Sequence, residues 1–195
     1  MPSSHLLLDN APKRSRGMEQ QGTFHVRDAR DSDRAAMVDV TLAAYEEYSA
    51  IVPSPHWEEY QQDIRDTITQ DDRAERIVAE LDGVVVGSVI LYPAGTVFYL
   101  PNEEAVTLPY PEIRLLAVAP AARGRGVGAA LVEACIERAR QAGVEAITLH
   151  TIEFMQVAMR MYERMGFVRA PELDFRPTED EDVDVVIKGY RFDLG

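Results

Sequence analysis

Hydrophobic and polar positions along this chain follow two periods, and the places where one gives way to the other mark its elements. Phe24 to Ala29 can form a first strand. Asp31-Ser-Asp33 offers capping oxygens for a helix from Arg34 to about Tyr48, on which Met37, Val38, Thr41, Leu42 and Tyr45 share a face. Pro53 and Pro55 break that pattern, and a second helix is predicted over Trp57–Thr69. Strands over Arg76–Leu81 and Val84–Tyr92 flank Asp82-Gly83, a signature of a two-residue hairpin turn. Residues 94–111, among Pro93, Pro101 and Pro109, predict an irregular insertion or a hairpin beside a cleft. A strand over Glu112–Val118, a helix ending at Ala142, a strand over Glu145–Thr151, a helix over about Met155–Met165 and two terminal strands, around Phe167 and over Val183–Phe192, complete the chain.

The order is antiparallel strands first and one strand-helix-strand unit afterwards, an α+β plan. Residues 1–22, with Lys13, Arg14 and Arg16 and little apolar periodicity, read as a mobile leader or an expression remnant ahead of one domain over 23–195. At 195 residues, 46% hydrophobic and 27% charged, the chain has material for one ordinary core. No apolar run approaches the roughly 18 to 20 residues that span a bilayer, and the apolar part of the N-terminus is short for a signal peptide, so a cytoplasmic protein away from membranes is expected.

Charge narrows the chemistry. A formal net charge of −13 argues against a nucleic-acid groove, which needs a dominant basic surface; it suits a cationic substrate or serves solubility. The run Glu179-Asp-Glu-Asp182 with Asp184 reads as a solvated loop, or as a local attractor for an amine. The single Cys135, four residues after Leu131, reads as a small buried hydrophobe rather than a nucleophile. No G-x-S-x-G elbow occurs, and His5, His25, His56 and His150 include no pair at metal-ligand spacing, so no metal is expected.

The segment from Ile113 to Gly128 carries the sharpest signal: an apolar strand, a short turn, then Arg123-Gly-Arg-Gly126-Val-Gly128 opening a helix. Unpaired N–H groups and the macrodipole at such a helix start form a phosphate site. Gly124-x-Gly126-x-x-Ala129 formally meets the dinucleotide fingerprint G-x-G-x-x-G/A. In that fold, however, the glycines follow the strand directly and open the domain, whereas here Pro120–Arg123 intervene and over half the chain comes earlier. The same residues also meet [Gln/Arg]-x-x-Gly-x-[Gly/Ala], and Ala158-x-x-x-Tyr162-x-x-x-Gly166-Phe167 follows downstream. Together these two motifs resemble the acetyl-CoA loop and the closing helix of the GCN5-related N-acetyltransferase (GNAT) superfamily, over about residues 25–192 in outline and 112–167 in specific pattern.

That resemblance implies a GNAT-like mixed, mostly antiparallel sheet flanked by helices, with a parallel strand-helix-strand unit whose strands diverge to admit the pantetheine arm. Acetyl-CoA is then the cosubstrate. Its arm would meet the backbone of Leu116, Ala117 and Val118; its pyrophosphate would lie on Arg123, Gly124, Arg125, Gly126, Val127, Gly128 and Ala129. Met155 and Ala158 fall at the far end of this site, where many members carry an asparagine in place of Met155; Gln156 is a substitute only if the helix start is shifted. Self-association as a homodimer through terminal strands is a further expectation of the resemblance.

An amine of pKa about 10 is almost wholly protonated at neutral pH, so transfer to it calls for a proton acceptor and for an acid at the departing thiolate. Tyr162 matches the family's acid. Two positions compete as base: Glu112, eleven residues before Arg123, the interval that resembles the catalytic glutamate's in the histone-acetyltransferase branch, but about 13 Å along the strand from Leu116 at roughly 3.3 Å per residue and so acting through water; and His150, twelve residues before Tyr162, where the similar ribosomal-protein N-terminal acetyltransferases carry a catalytic glutamate, and an imidazole titrates near neutrality. Bulk water can also take the proton in this family. On the acceptor side Tyr45, Tyr48, Trp57 and Tyr60 are candidates. The expected reaction is acetyl transfer to a primary amine of a small molecule by direct attack on the thioester; a protein lysine or N-terminal acetyltransferase and a non-catalytic acyl-CoA sensor are the alternatives.

Overall fold

The computed structural model describes residues 23–50, 54–99, 105–176 and 186–195. The expected leader and the acidic run at 179–184 lie outside these residues. Among the described residues, nine strands and four helices follow one another as β1 (His25–Asp28), α1 (Arg34–Tyr45), α2 (Ser54–Thr69), β2 (Glu75–Leu81), β3 (Val84–Tyr92), β4 (Val97–Tyr99), β5 (Ala105–Thr107), β6 (Glu112–Val118), α3 (Val127–Gln141), β7 (Ala146–Ile152), α4 (Gln156–Met165), β8 (Val168–Arg169) and β9 (Ile187–Asp193). Seven strands form one sheet in the order β1-β2-β3-β6-β7-β9-β8, in which β6 and β7 pair in parallel and every other pair is antiparallel. The segment after Pro93 is a hairpin, β4 with β5.

Alternation along each strand sends side chains to two separate cores. On one face Ile77, Val89, Ile113, Ile147 and Leu149 pack against Leu131, Cys135 and Ile136 of α3 and Tyr162 of α4. On the other, Val78, Ile90 and Tyr92 pack against Met37 and Tyr45 of α1 and Trp57, Ile64 and Ile68 of α2. Cys135 is 0% exposed, and burial pushes its thiol up to about 12, so it is an inert core residue.

Several element boundaries differ from the sequence reading for local reasons. Helix α2 begins at Ser54, because a proline in the first turn removes an N–H that has no partner there. Asp33 does not cap α1 with its side chain; its carboxylate accepts from the Arg30 N–H at 2.7 Å and from Arg27 at 2.6 Å, and a 3-10 turn over Asp31–Asp33 leads into the helix instead. After Tyr45 the helix tightens into a 3-10 turn over Glu46–Tyr48. The strand after Phe167 is two residues long, and the last strand starts at Ile187.

The feature that positions the site is where β6 and β7 part. Their register covers Glu112↔Thr148 and Ile113↔Leu149 and then stops. At that point Ile90 faces Arg114 and Ser88 faces Ala117, so Leu115 and Leu116 together oppose Val89 in a bulge, with Leu115 left-handed at φ 50. A bulge of this kind bends the strand that carries it, and β6 leaves β7 to open a gap.

Helix α3 crosses over β3 at Gly87, where a Cβ would meet Val127 Cγ1 at 2.8 Å and Leu131 Cδ1 at 3.1 Å. Gly87→Ala is therefore expected to destabilise the protein by about 2 kcal/mol through overpacking. A urea midpoint lowered with an unchanged slope would verify it.

Candidate active site

A cleft of about 570 Å³ fills the gap between β6 and β7 and reaches from the glycine loop to the C-terminal end of α1. Leu116 and Val118 line it, and Ala117 does not. Alternation explains the difference: the Ala119 N–H donates to the Val86 carbonyl at 2.9 Å, so residues 117 and 119 turn their polar groups to β3 while 116 and 118 turn theirs to the gap. The Leu116 carbonyl accepts a hydrogen bond from the Tyr45 hydroxyl at 3.4 Å.

Gly124, Gly126, Val127, Gly128 and Ala129 line the other end. Gly124 and Gly126 are left-handed at φ 73 and 82, and a Cβ on either would project into open space. Helix α3 starts right after them, so the N–H groups of its first turn have no partner within the helix. A left-handed glycine loop running into a fifteen-residue helix fits a pyrophosphate held by backbone donors and the macrodipole. The arginines act differently from a simple supply of charge. Arg123 lines the cleft, but its guanidinium donates to the Ala44 carbonyl at 3.0 Å and pairs with Glu47 at 3.1 Å, which ties the loop to the end of α1. Arg125 stands off the cleft, whereas Arg164 of α4, which sequence reasoning did not single out, lines it.

Tyr162 reaches the cleft from α4 with Ala158 and Met161 beside it. Its ring is buried against Phe167 and Tyr190, with centroids 5.9 and 6.5 Å away. Burial holds the phenol's pKa well above 10, so it stays a neutral donor over the whole working range. Met155 is the residue before α4 and makes no capping hydrogen bond; it packs toward the α1–α2 core.

Glu112 and His150, which the sequence sets in competition, form one unit. Their strands pair Glu112 with Thr148, so His150 is the diagonal neighbour on the same face. His150 Nδ1 lies 3.1 Å from Glu112 Oε2, and Nε2 lies 2.9 Å from the Leu173 carbonyl, with the Phe175 ring edge-on at 5.2 Å. Glu112 is 5% exposed and stands behind His150, which alone of the two lines the cleft. Desolvation lowers the imidazole pKa, but the Glu112 hydrogen bond and charge and the Leu173 carbonyl outweigh it, so the value is raised above 6.5. Arg114, also on the lining, lies 3.9 Å from Glu112 and stacks over Phe98 of the β4–β5 hairpin at 4.9 Å.

Of the four aromatics expected on the acceptor side, Tyr45 and Tyr48 line the cleft. Tyr60 lies behind Tyr45, centroids 6.1 Å apart, and Trp57 is a buried core residue.

A family model described as the Acetyltransferase (GNAT) family matches residues 38–167. Among curated proteins, a mycothiol acetyltransferase from Sanguibacter keddieii is 35% identical over 115 residues, 53% of this chain and 34% of that protein. The chain thus spans about a third of that relative's length. Among solved structures, a GNAT-family acetyltransferase from Staphylococcus aureus Mu50 superposes with a TM-score of 0.63 at 15% identity, covering 89% of this chain and 100% of that one. A Salmonella typhimurium acetyltransferase, described with its cofactor acetyl-CoA, gives 0.59 at 19% identity, covering 88% and 94%.

Because the folded state raises the His150 pKa, the stability this pair contributes is full below about pH 6.5 and is lost as pH rises through the raised value. Glu112→Gln is expected to cost roughly 2 kcal/mol at pH 6, a charge-assisted hydrogen bond's worth, with the deficit shrinking toward pH 9. Denaturant titrations of both proteins across that interval read it, and a deficit independent of pH would contradict a charged pair.

Proposed function

The chain belongs to the GNAT acetyltransferase family, and on that premise we propose that it moves an acetyl group from acetyl-CoA to a primary amine of a small molecule by direct attack on the thioester. The observation that carries this reading is the gap itself: two parallel strands that separate after two residue pairs, with a glycine loop and helix start at one end and Tyr162 at its side. The pantetheine arm would run past the outward backbone groups of Leu116 and Val118, and the pyrophosphate would rest on the first turn of α3. Tyr45 and Tyr48 on the wall of the cleft support a small amine as the acceptor. A relative's name, mycothiol acetyltransferase, accords with acetyl transfer but leaves the acceptor of this chain open to assay.

The residues present supply both proton transfers. As the amine nitrogen bonds to the acetyl carbon and the carbon–sulfur bond breaks, the Tyr162 hydroxyl gives its proton to the departing sulfur. The proton shed by the amine would be taken at His150 Nε2 once that nitrogen parts from the Leu173 carbonyl, with Nδ1–H held on Glu112, since the ring lines the cleft and the carboxylate does not. A lone pair is present on the ring only above its raised pKa, so turnover through this route climbs with pH past 6.5.

Thiol release from acetyl-CoA across a panel of small amines, amino sugars and peptides, with calorimetry of coenzyme A and NAD alongside, tests the assignment. Release dependent on a small amine supports it, release dependent on peptides shifts the acceptor to protein, and binding of NAD in place of coenzyme A overturns it. Tyr162→Phe is expected to lower kcat about 100-fold with acetyl-CoA affinity within about twofold of wild type. His150→Gln should flatten the rise of kcat/KM above pH 6.5; a profile that keeps its limb would assign the proton to water instead.

A further inference from the structure

Arg114 lines the cleft from β6, and among the described residues its guanidinium makes no hydrogen bond. The carboxylate beside it, on Glu112, lies 3.9 Å from Nε, beyond hydrogen-bond reach, and is already held by the His150 ring at 3.1 Å. Other arginines of this fold are engaged: Arg27 with Asp33 and Glu80, Arg123 with Glu47 and the Ala44 carbonyl, Arg169 with Asp174. Nor is Arg114 sealed off. Its side chain is 38% exposed, and the buried guanidinium nitrogen left without a partner among the described residues is on Arg138, so the Arg114 donors stay open at the cleft.

Rings hold this side chain in place of hydrogen bonds. Its guanidinium stacks over Phe98 at 4.9 Å and lies 5.9 Å from the Tyr92 centroid, while Arg73, paired with Asp71, lies over Phe98 at 5.1 Å. Stacking engages the faces of a guanidinium and leaves its in-plane N–H fork free, the arrangement suited to a carboxylate bound through two parallel hydrogen bonds. The charge is felt across the acceptor side: burial raises the phenols of Tyr45 and Tyr60, and Arg114 opposes that rise in both. Arg114 and His150 flank the Glu112 carboxylate, one at each of its oxygens, so an oxyanion-binding fork and a proton-accepting ring stand close together.

We infer that Arg114 binds a carboxylate on the acceptor, so that the amine this protein acetylates is that of an amino acid. The inference rests on the acetyl-transfer reading given above and narrows its acceptor. Because the guanidinium and the imidazole flank one carboxylate, the amine and the oxyanion they receive are a few bonds apart, as in an α-amino acid. Held by Arg114, the acceptor presents its nitrogen to the thioester and sheds its proton toward His150. A carboxylate, with one charge, is matched by one guanidinium; a phosphate dianion would leave a second charge facing Glu112 and the lining Glu47.

Paired acceptors test this with the full chain and acetyl-CoA: phenylalanine against phenethylamine, leucine against isopentylamine, and phosphoethanolamine against ethanolamine. Within each amino-acid pair, the ratio of kcat/KM for the acid to that for the plain amine is expected to fall about tenfold in Arg114→Gln, chiefly through KM. A ratio taken within a pair and compared between proteins cancels the basicity of each amine and any change at His150. Arg114→Lys, which keeps the charge and loses the fork, should give a smaller fall of about threefold. Calorimetry of coenzyme A with each variant checks that the fold is intact. Ratios unchanged in both variants, or a fall confined to the phosphoethanolamine pair, would overturn the carboxylate and leave acetyl transfer standing. So would coenzyme A binding with no thiol release for any amino acid. Failure of the wild-type chain to bind coenzyme A would overturn both.

Discussion

Parallel pairing of β6 with β7 lasts two residue pairs, because the β6 backbone spends one residue on a bulge against β3. Everything distinctive about the site follows from that mismatch. Had β6 run straight, its outward carbonyls and N–H groups at Leu116 and Val118 would have been consumed by β7, and the sheet would have closed. A left-handed leucine costs of order 1 to 3 kcal/mol, and it persists because the strand is fixed at both ends, by β3 on one side and the Glu112–Ile113 pairing on the other.

The two proton-handling groups sit on opposite faces of this opening and are prepared in opposite ways. Tyr162 packs against Phe167 and Tyr190 and is kept neutral by burial, which holds its proton until the departing sulfur takes it. His150 is also largely buried, yet it is held toward its charged form because both ring nitrogens meet oxygen. Two groups on one cleft thus acquire contrasting tendencies through the partners that their strands and helices deliver. Arg123 and Leu173 show the same economy of connection: the loop is tied to α1, and the imidazole is tied to the turn before the last strand.

How much of this was legible in the sequence depended on how local the cause was. The Asp82-Gly83 turn, the glycine loop and the order of strands were readable because each is fixed by residues adjacent in the chain. The union of Glu112 and His150 was not, since it depends on the parallel register between strands 38 positions apart, where a shift of one would place them on opposite faces. Arg123 looked like a phosphate ligand because nothing in the sequence reveals that α1 ends beside it.

The sheet keeps the two hydrophobic cores apart, one beneath α3 and α4 and the other beneath α1 and α2, and the cleft draws its walls from both. Substitutions that repack one core are thus largely insulated from the other, their effects adding rather than compounding. In evolutionary terms, the wall formed by Tyr45 and Tyr48 can be remodelled over many generations while the wall around Tyr162 and the glycine loop stays as it is, so descendants of this chain can change clientele without relearning how to fold.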